Sequence, residues 1–156
     1  MAITVEGIDE LKYLLQQSGD KAVRGVLNQM RQEAKDIQEL AIKMAPLDHG
    51  NLEEAIKVRD NAGGRTSLGQ FARKTVEVYV DTEMEIPERP GKFISDYAWE
   101  MHQHLTPYGF LRLGKKSQAK QHGQEEIVGG GFLERAVDKV SDRMMDRLIA
   151  VAKSVL

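Results

Sequence analysis

The sequence predicts an α+β fold, in which a long N-terminal helix and a C-terminal helix pack on a small antiparallel β-sheet with long loops. Two stretches, at about residues 20–44 and 132–154, carry an apolar side chain every third or fourth position. A third stretch, residues 75–82, alternates valines with polar side chains, as a half-buried strand does. With 156 residues, 41% of them hydrophobic, the chain is expected to form a single domain, residues 1–156.

Composition and charge exclude several classes of protein. The absence of cysteine excludes disulfides, thiol catalysis and zinc–thiolate sites. A formal net charge of −2 gives no global basic field that would draw the molecule to nucleic acid or to a membrane. No apolar run approaches the roughly 18 residues of a membrane span, and the N-terminus lacks the basic and apolar regions of a signal peptide. We therefore expect no membrane partner.

The N-terminal region, residues 1–19, is predicted to be an arm followed by a short helix. Ile3-Thr4-Val5 reads as a short strand or extended arm, and three leucines at helical spacing indicate a helix over residues 9–17. Ser18-Gly19-Asp20 should interrupt this helix, and Asp20 can cap the next one. The long helix then carries a narrow apolar stripe that favours core packing, with a subunit interface as the alternative: Val23, Leu27, Met30, Ala34, Ile37, Ala41 and Met44.

A tight corner is predicted where the long helix ends. The helix should stop near Ala45, because Pro46 has no backbone donor and clashes with the preceding turn. The turn formers Asp48, Gly50 and Asn51 follow. Beyond them the sequence predicts a strand that pairs antiparallel with residues 75–82, with one face formed by Leu52, Ile56 and Val58.

Residues 105–131 show no clean period and are predicted to form a long mobile loop. The three glycines at 129–131 are expected to give hinge freedom, because no Lys-Ser/Thr follows them as in a phosphate-binding loop. The loop contains a run of cations, here called the basic run, without a recognisable nucleic-acid-binding module around it. Its members are Arg112, Lys115, Lys116 and Lys120.

The polar side of the last helix repeats its charges every four residues. An acidic ridge consists of Glu134, Asp138, Asp142 and Asp146, and a basic ridge consists of Arg135, Lys139, Arg143 and Arg147. Opposite charges three residues apart offset the repulsion between like charges four residues apart. The pattern is typical of a solvated face, and it also suits an interface between subunits.

Histidines provide the metal candidate. If residues 97–102 form a strand rather than a short helix, His102 and His104 point the same way and Glu100 joins them. Zinc needs three or four ligands, and the sequence offers no firm fourth. His49 beside Asp48 resembles half of a catalytic triad, but no serine lies in a nucleophile-elbow context. We expect no cofactor, no metal site and no catalytic residue.

Three stretches, in order, resemble a family of small tailed-bacteriophage proteins. They are Ala45-Pro46-x-Asp48-x-Gly50-Asn51-Leu52, Tyr97-Ala98-x-x-x-His102 and Phe132-Leu133-Glu134-x-Ala136. They are similar to the Ala-Pro-x-Asp-Thr-Gly-x-Leu, Tyr-Ala-x-x-x-His/Glu and Phe-Leu-x-x-Ala motifs of head–tail joining proteins, also called tail-completion or neck proteins. His49 replaces the usual threonine. The resemblance covers the chain from about Ile8 to Leu156.

The resemblance implies a structural virion protein without catalytic residues. It implies a homo-oligomeric ring in the neck, between head connector or portal-side proteins and tail-tube or terminator proteins. Genomic DNA would pass through the ring without sequence recognition, and assembly would occur in the host cytoplasm. On this basis the two ridges are expected to face neighbouring copies, and the basic run to face the channel or a partner ring. The alternatives are a tail terminator that caps the tail tube, a small metal-dependent enzyme and a DNA-binding module.

Overall fold

The computed structural model describes residues 8–47, 49–61, 64–65, 71–72, 75–107, 109 and 111–154. Within these ranges the helices are α1 (Ile8–Met44), α2 (Asn51–Ala55), α3 (Ala98–His104), α4 (Lys115–His122) and α5 (Phe132–Lys153). The strands are β1 (Ile56–Asn61), β2 (Gly64–Arg65), β3 (Phe71–Ala72) and β4 (Thr75–Val80). The fold class is α+β, as predicted. The predicted Ile3–Val5 arm and Asp48 lie outside the described residues.

Helices α1 and α5 pack along each other, and α1 also contacts both long strands. Gly19 interrupts α1 with a non-helical backbone (φ 65°, ψ −160°), at the position where the sequence predicts a break. One core cluster joins the end of α1, the sheet and the start of α5, around Met44, Ile56 and Phe132. A second, smaller cluster lies near the other end, around Leu14, Val26 and Leu148. In the described part of the chain, no helix is long and apolar enough to cross a membrane.

The predicted antiparallel pairing of the two long strands is confirmed. Strand β1 pairs with β4 in a register that runs from Ile56 opposite Val80 to Asn61 opposite Thr75. Apolar side chains of one sheet face join the main core cluster. On the other face Arg59 pairs with Glu77 at 2.5 Å, and its guanidinium lies 4.8 Å from the ring centre of Tyr79. Strands β2 and β3 form a separate short antiparallel ladder.

The corner after α1 differs from the prediction in one respect. Helix α1 ends at Met44, as Pro46 predicts, but residues 51–55 form the one-turn helix α2 rather than the start of a strand. Gly50, with φ 88°, begins this turn, and its carbonyl accepts a bond from the amide of Glu54 at 3.0 Å. Leu52 and Ala55, three residues apart, are both buried by it. The strand begins only at Ile56.

The prediction that residues 105–131 form one long loop is wrong, because α4 lies within them, and the mobility of this segment stays a prediction. Helix α4 is anchored by polar contacts. The Ser117 hydroxyl accepts from the Leu47 amide at 2.9 Å and donates to the Leu47 carbonyl at 3.0 Å. The Lys120 ammonium donates to the carbonyls of Ile42 and Ala45, at 2.6 and 2.8 Å, and pairs with Glu53. The helix therefore covers the open carbonyl end of α1.

The three glycines before α5 are packed against backbone, so the hinge prediction is wrong. Their amides donate to the carbonyls of Met44, Thr106 and His102, at 2.8, 2.9 and 2.9 Å respectively. A methyl group added at Gly129 or Gly130 would overlap the carbonyl of Thr106 or Leu105. Glycine is required here for close approach of two chain segments.

Candidate functional site

A groove of about 760 Å³ opens beside the corner that follows α1. The corner forms one wall, and the segment between β4 and α3 forms another. Helix α3 contributes Met101, and the N-terminal part of α4 contributes Lys115, Lys116 and Ser117. The corner, the region from β4 to α3, and α4 therefore meet at one concave surface, although they are distant in sequence.

The floor of the groove is mainly apolar. Leu52, Ile86 and Leu105 are almost fully buried beneath it, and their side chains also help to fill the core. The apolar lining consists of Pro46, Leu47, Leu52, Ile86, Tyr97, Met101 and Leu105. A concave apolar floor with polar groups around it is the usual form of a binding surface in proteins.

The rim of the groove is basic although the whole chain is slightly acidic. Among the residues that the structure describes, five exposed cations line it: Arg89, Lys92, Arg112, Lys115 and Lys116. Two described carboxylates, Glu88 and Asp96, line the same groove, as does His49. The rim thus carries a local excess of positive charge, which attracts an acidic partner at short range.

The side chain of Asn51, in the corner, holds the carboxylate of Glu88 in place. Its side-chain amide donates to Glu88 at 3.1 Å, and this hydrogen bond is the main reason why the pKa of Glu88 is lowered. The nearby charges of His49 and Arg89 lower that pKa further. Glu88 therefore stays ionised and holds the corner against the segment that precedes α3.

The three sequence stretches that resemble the phage family meet at one junction. The corner and Tyr97 line the groove. His102, on α3, packs its ring 5.1 Å from the ring of Phe132, and its carbonyl accepts from the Gly131 amide. Leu133 packs against the same core cluster as Phe132. These residues join the end of α1, α3 and the start of α5.

The two candidate metal ligands are not brought together, because α3 is a helix. The strand alternative for this segment is wrong, because residues 98–104 form a helix. Residues two positions apart on a helix point in different directions. The Nδ1 atom of His102 is buried without a hydrogen-bond partner, and burial lowers the pKa of this imidazole. Among the residues for which coordinates are described, no group of three or more His, Asp or Glu is placed to hold a metal ion.

The basic run is divided between two environments. Arg112, Lys115 and Lys116 lie on the rim of the groove. Lys120 does not, because its side chain is only 13% exposed and binds the end of α1. The side chains of the first three residues are exposed, whereas Lys120 has a structural role.

The two ridges of α5 also differ in environment. All four members of the acidic ridge are exposed. Arg135, by contrast, donates to the carbonyls of Ile127, Gly129 and Gly130, at 2.6 to 3.3 Å. Lys139 pairs with Glu126.

Arg147, a third member of the basic ridge, binds across to α1. It lies 3.2 Å from the carboxylate of Glu33, which is 1% exposed, and 3.9 Å from that of Asp36. Gln29 also donates to Glu33, at 2.6 Å. The basic ridge is therefore largely engaged within its own chain.

Sequence reasoning missed two features of the molecule. Arg89 and Lys92 come from an irregular segment, and no local pattern shows that they line the same groove as the start of α4. Trp99, the single tryptophan of the chain, is 68% exposed on α3. A lone tryptophan in a polar helix is a signal that could have identified it.

No protein-family model, curated protein or solved structure matches this chain.

Proposed function

We propose that this chain is a structural virion protein of a tailed bacteriophage, which forms a ring in the neck and joins the head connector to the tail. One observation carries the proposal. Three stretches that resemble those of head–tail joining proteins occur in order, and their residues pack around one junction between α1, α3 and α5. The junction supports the proposal because it gives the three stretches a common structural role.

The roles of these residues are structural rather than chemical. Pro46 ends a helix, and Gly50 begins the next turn with a positive φ. His102 and Phe132 stack, and Gly131 ties the start of α5 to α3. Such roles set the relative positions of helices, which is what a scaffold protein needs from its characteristic residues.

A closed ring of identical subunits also needs an interface in which one surface meets a different surface of the next copy. Such an interface favours an uneven distribution of charge over the subunit. This chain has a basic groove rim on one side and an exposed acidic ridge on α5. This uneven distribution of charge supports a ring. It is not visible in the formal net charge of the chain, which is only −2.

The test is genetic. A stop codon is placed early in this gene in the phage that carries it, and lysates are examined by electron microscopy with and without the wild-type gene on a plasmid. We expect full heads and separate tails of normal length without the plasmid, and joined particles with it. Tails of irregular length would instead indicate a tail terminator. Normal joined particles without the plasmid would contradict both roles.

A further inference from the structure

We propose that the groove binds the Trp99 side of α3 from a second copy of this chain, so that subunits associate head to tail. This inference rests on the proposed ring and names its interface. It involves two surfaces that the proposed function leaves without a partner: the apolar groove with its basic rim, and the exposed tryptophan.

Trp99 has the properties of an interface anchor. Its side chain is 68% exposed, although an indole offers one of the largest apolar surfaces of any residue. Tryptophan is enriched among the residues that dominate binding energy, and such residues usually fill a pocket on the partner. A groove of about 760 Å³ with an apolar floor has room for an indole together with its neighbouring side chains.

The groove and Trp99 lie on opposite sides of the same helix. Met101 lines the groove, and Trp99 precedes it by two residues on α3. Two residues correspond to about 200° around an α-helix, so the two side chains point in nearly opposite directions. A subunit with its anchor and its socket on opposite sides binds one neighbour through each, and it forms a chain or ring rather than a closed pair.

Charge complementarity favours a second copy as the occupant. Glu100 is exposed next to Trp99. Trp99 also lines a small cleft of about 260 Å³ together with Thr82 and His102. Exposed Glu83 follows Thr82 in the chain. The charge of exposed Glu134 acts on His102, as does that of Arg135, whose guanidinium is bound to backbone carbonyls. The elements next to the anchor thus present three exposed carboxylates, whereas cations outnumber carboxylates on the groove rim.

A nucleic acid is the other partner that a basic rim suggests. Phosphate binding would use the cations but not the apolar floor, and most of the groove lining is apolar. A tryptophan with exposed carboxylates on neighbouring elements would use both features. The observations therefore favour a protein partner, and duplex DNA becomes an outcome of the test.

The test uses two variants that each remove one half of the interface. Trp99→Ala removes the anchor and leaves the groove intact. Arg112→Glu with Lys115→Glu reverses two exposed rim charges and leaves the anchor intact. Tyr13→Ala is the matched control, because Tyr13 is an aromatic residue of similar exposure, 61%, outside both surfaces. Circular dichroism checks that every variant is folded.

Sedimentation velocity then measures association over a range of protein concentrations. We expect higher oligomers for the wild type and for Tyr13→Ala, and monomers for each interface variant alone. An equimolar mixture of the two interface variants retains one intact anchor and one intact groove, so it should form dimers and nothing larger.

Several outcomes would overturn the proposal. They are a monomeric wild type at all concentrations, normal oligomers of Trp99→Ala, or a mixture that does not dimerise. Loss of duplex DNA binding by the rim variant without any change in its association would assign the rim to nucleic acid instead. These assays use purified protein and duplex DNA, so their failure is distinct from failure of the neck role, which the stop-codon phage tests.

Discussion

At the scale of single residues, the imidazole of His102 is held among influences of opposite sign. Burial lowers its pKa and is the largest effect, the charge of Glu134 raises it, and the charge of Arg135 lowers it. The net direction is downward from the ordinary value of 6.5. The neutral ring is therefore the form that packs against Phe132.

The lowered pKa of His102 predicts a loss of stability in mild acid. At pH values between the folded and the unfolded pKa, the unfolded chain binds more protons than the folded chain. The contribution of neutral His102 to the free energy of unfolding is therefore complete above about pH 6.5 and declines as the pH falls below that value. The carboxylates with lowered pKa values, Glu77, Asp81 and Glu88, lose their contributions only below their ordinary values of 4.5, 3.8 and 4.5. Of these four groups, only His102 therefore changes its contribution to stability between about pH 5 and 6.5.

His102→Phe tests this, because it keeps an aromatic ring against Phe132 and removes the titrating group. Urea unfolding at a series of pH values should show a decline in stability between about pH 6.5 and 5 for the wild type and a flatter profile for the variant. Parallel profiles would mean that His102 keeps its ordinary pKa in the folded chain.

At the scale of elements, α4 shows how a helix can be held in place by hydrogen bonds. Its one buried residue among those described is Ser117, and the side chain of Lys120 is only 13% exposed. Both bind backbone groups near the end of α1, where helix carbonyls have no partner within the helix. A cation at that end also interacts favourably with the helix dipole.

Lys120→Met should destabilise the fold by about 2–4 kcal/mol, because it keeps the aliphatic stem but leaves two carbonyls and the carboxylate of Glu53 without the ammonium. Lys115→Met, on the exposed start of the same helix, is the control and should change stability by less than about 0.5 kcal/mol. Urea unfolding measures both variants. Equal midpoints would show that α4 does not depend on Lys120.

The sequence predicted those elements whose apolar residues follow a period. Strand β4 and helix α5 have such a period, and Pro46 marked the end of α1. Helix α4 escaped prediction because its anchoring contacts are polar and join residues at least 67 positions apart in sequence. Helix α2 escaped prediction because Leu52 and Ile56, both buried, are four residues apart, a spacing that also fits one face of a strand.

The groove could be predicted only in part. The corner and Tyr97 were identified from the sequence as a structural motif, and part of the basic run was identified as a partner surface. Their convergence with Arg89 and Lys92 depends on how α4 and the segment before α3 fold onto the corner. No local pattern encodes such long-range proximity.

At the scale of the whole molecule, the distribution of charge is more informative than its sum. The formal charge of −2 conceals a basic groove rim, an exposed carboxylate, Glu100, next to Trp99 and an exposed acidic ridge on α5. Contact between the acidic and basic ridges of adjacent copies stays a prediction. The groove interface is the alternative to contact between the ridges. We favour it because much of the basic ridge already binds within its own chain.

Reversing part of the basic ridge decides between the two interfaces. Lys139→Glu with Arg143→Glu removes the pair between Lys139 and Glu126, which is worth only about 0–1 kcal/mol because Lys139 is largely exposed. We expect this variant to stay folded and to associate like the wild type in sedimentation velocity. Raising the salt concentration should weaken association of both proteins alike, since the rim charges are screened in each. If the variant remains monomeric, and Asp138→Lys with Asp142→Lys restores association, the ridges rather than the groove hold the copies together.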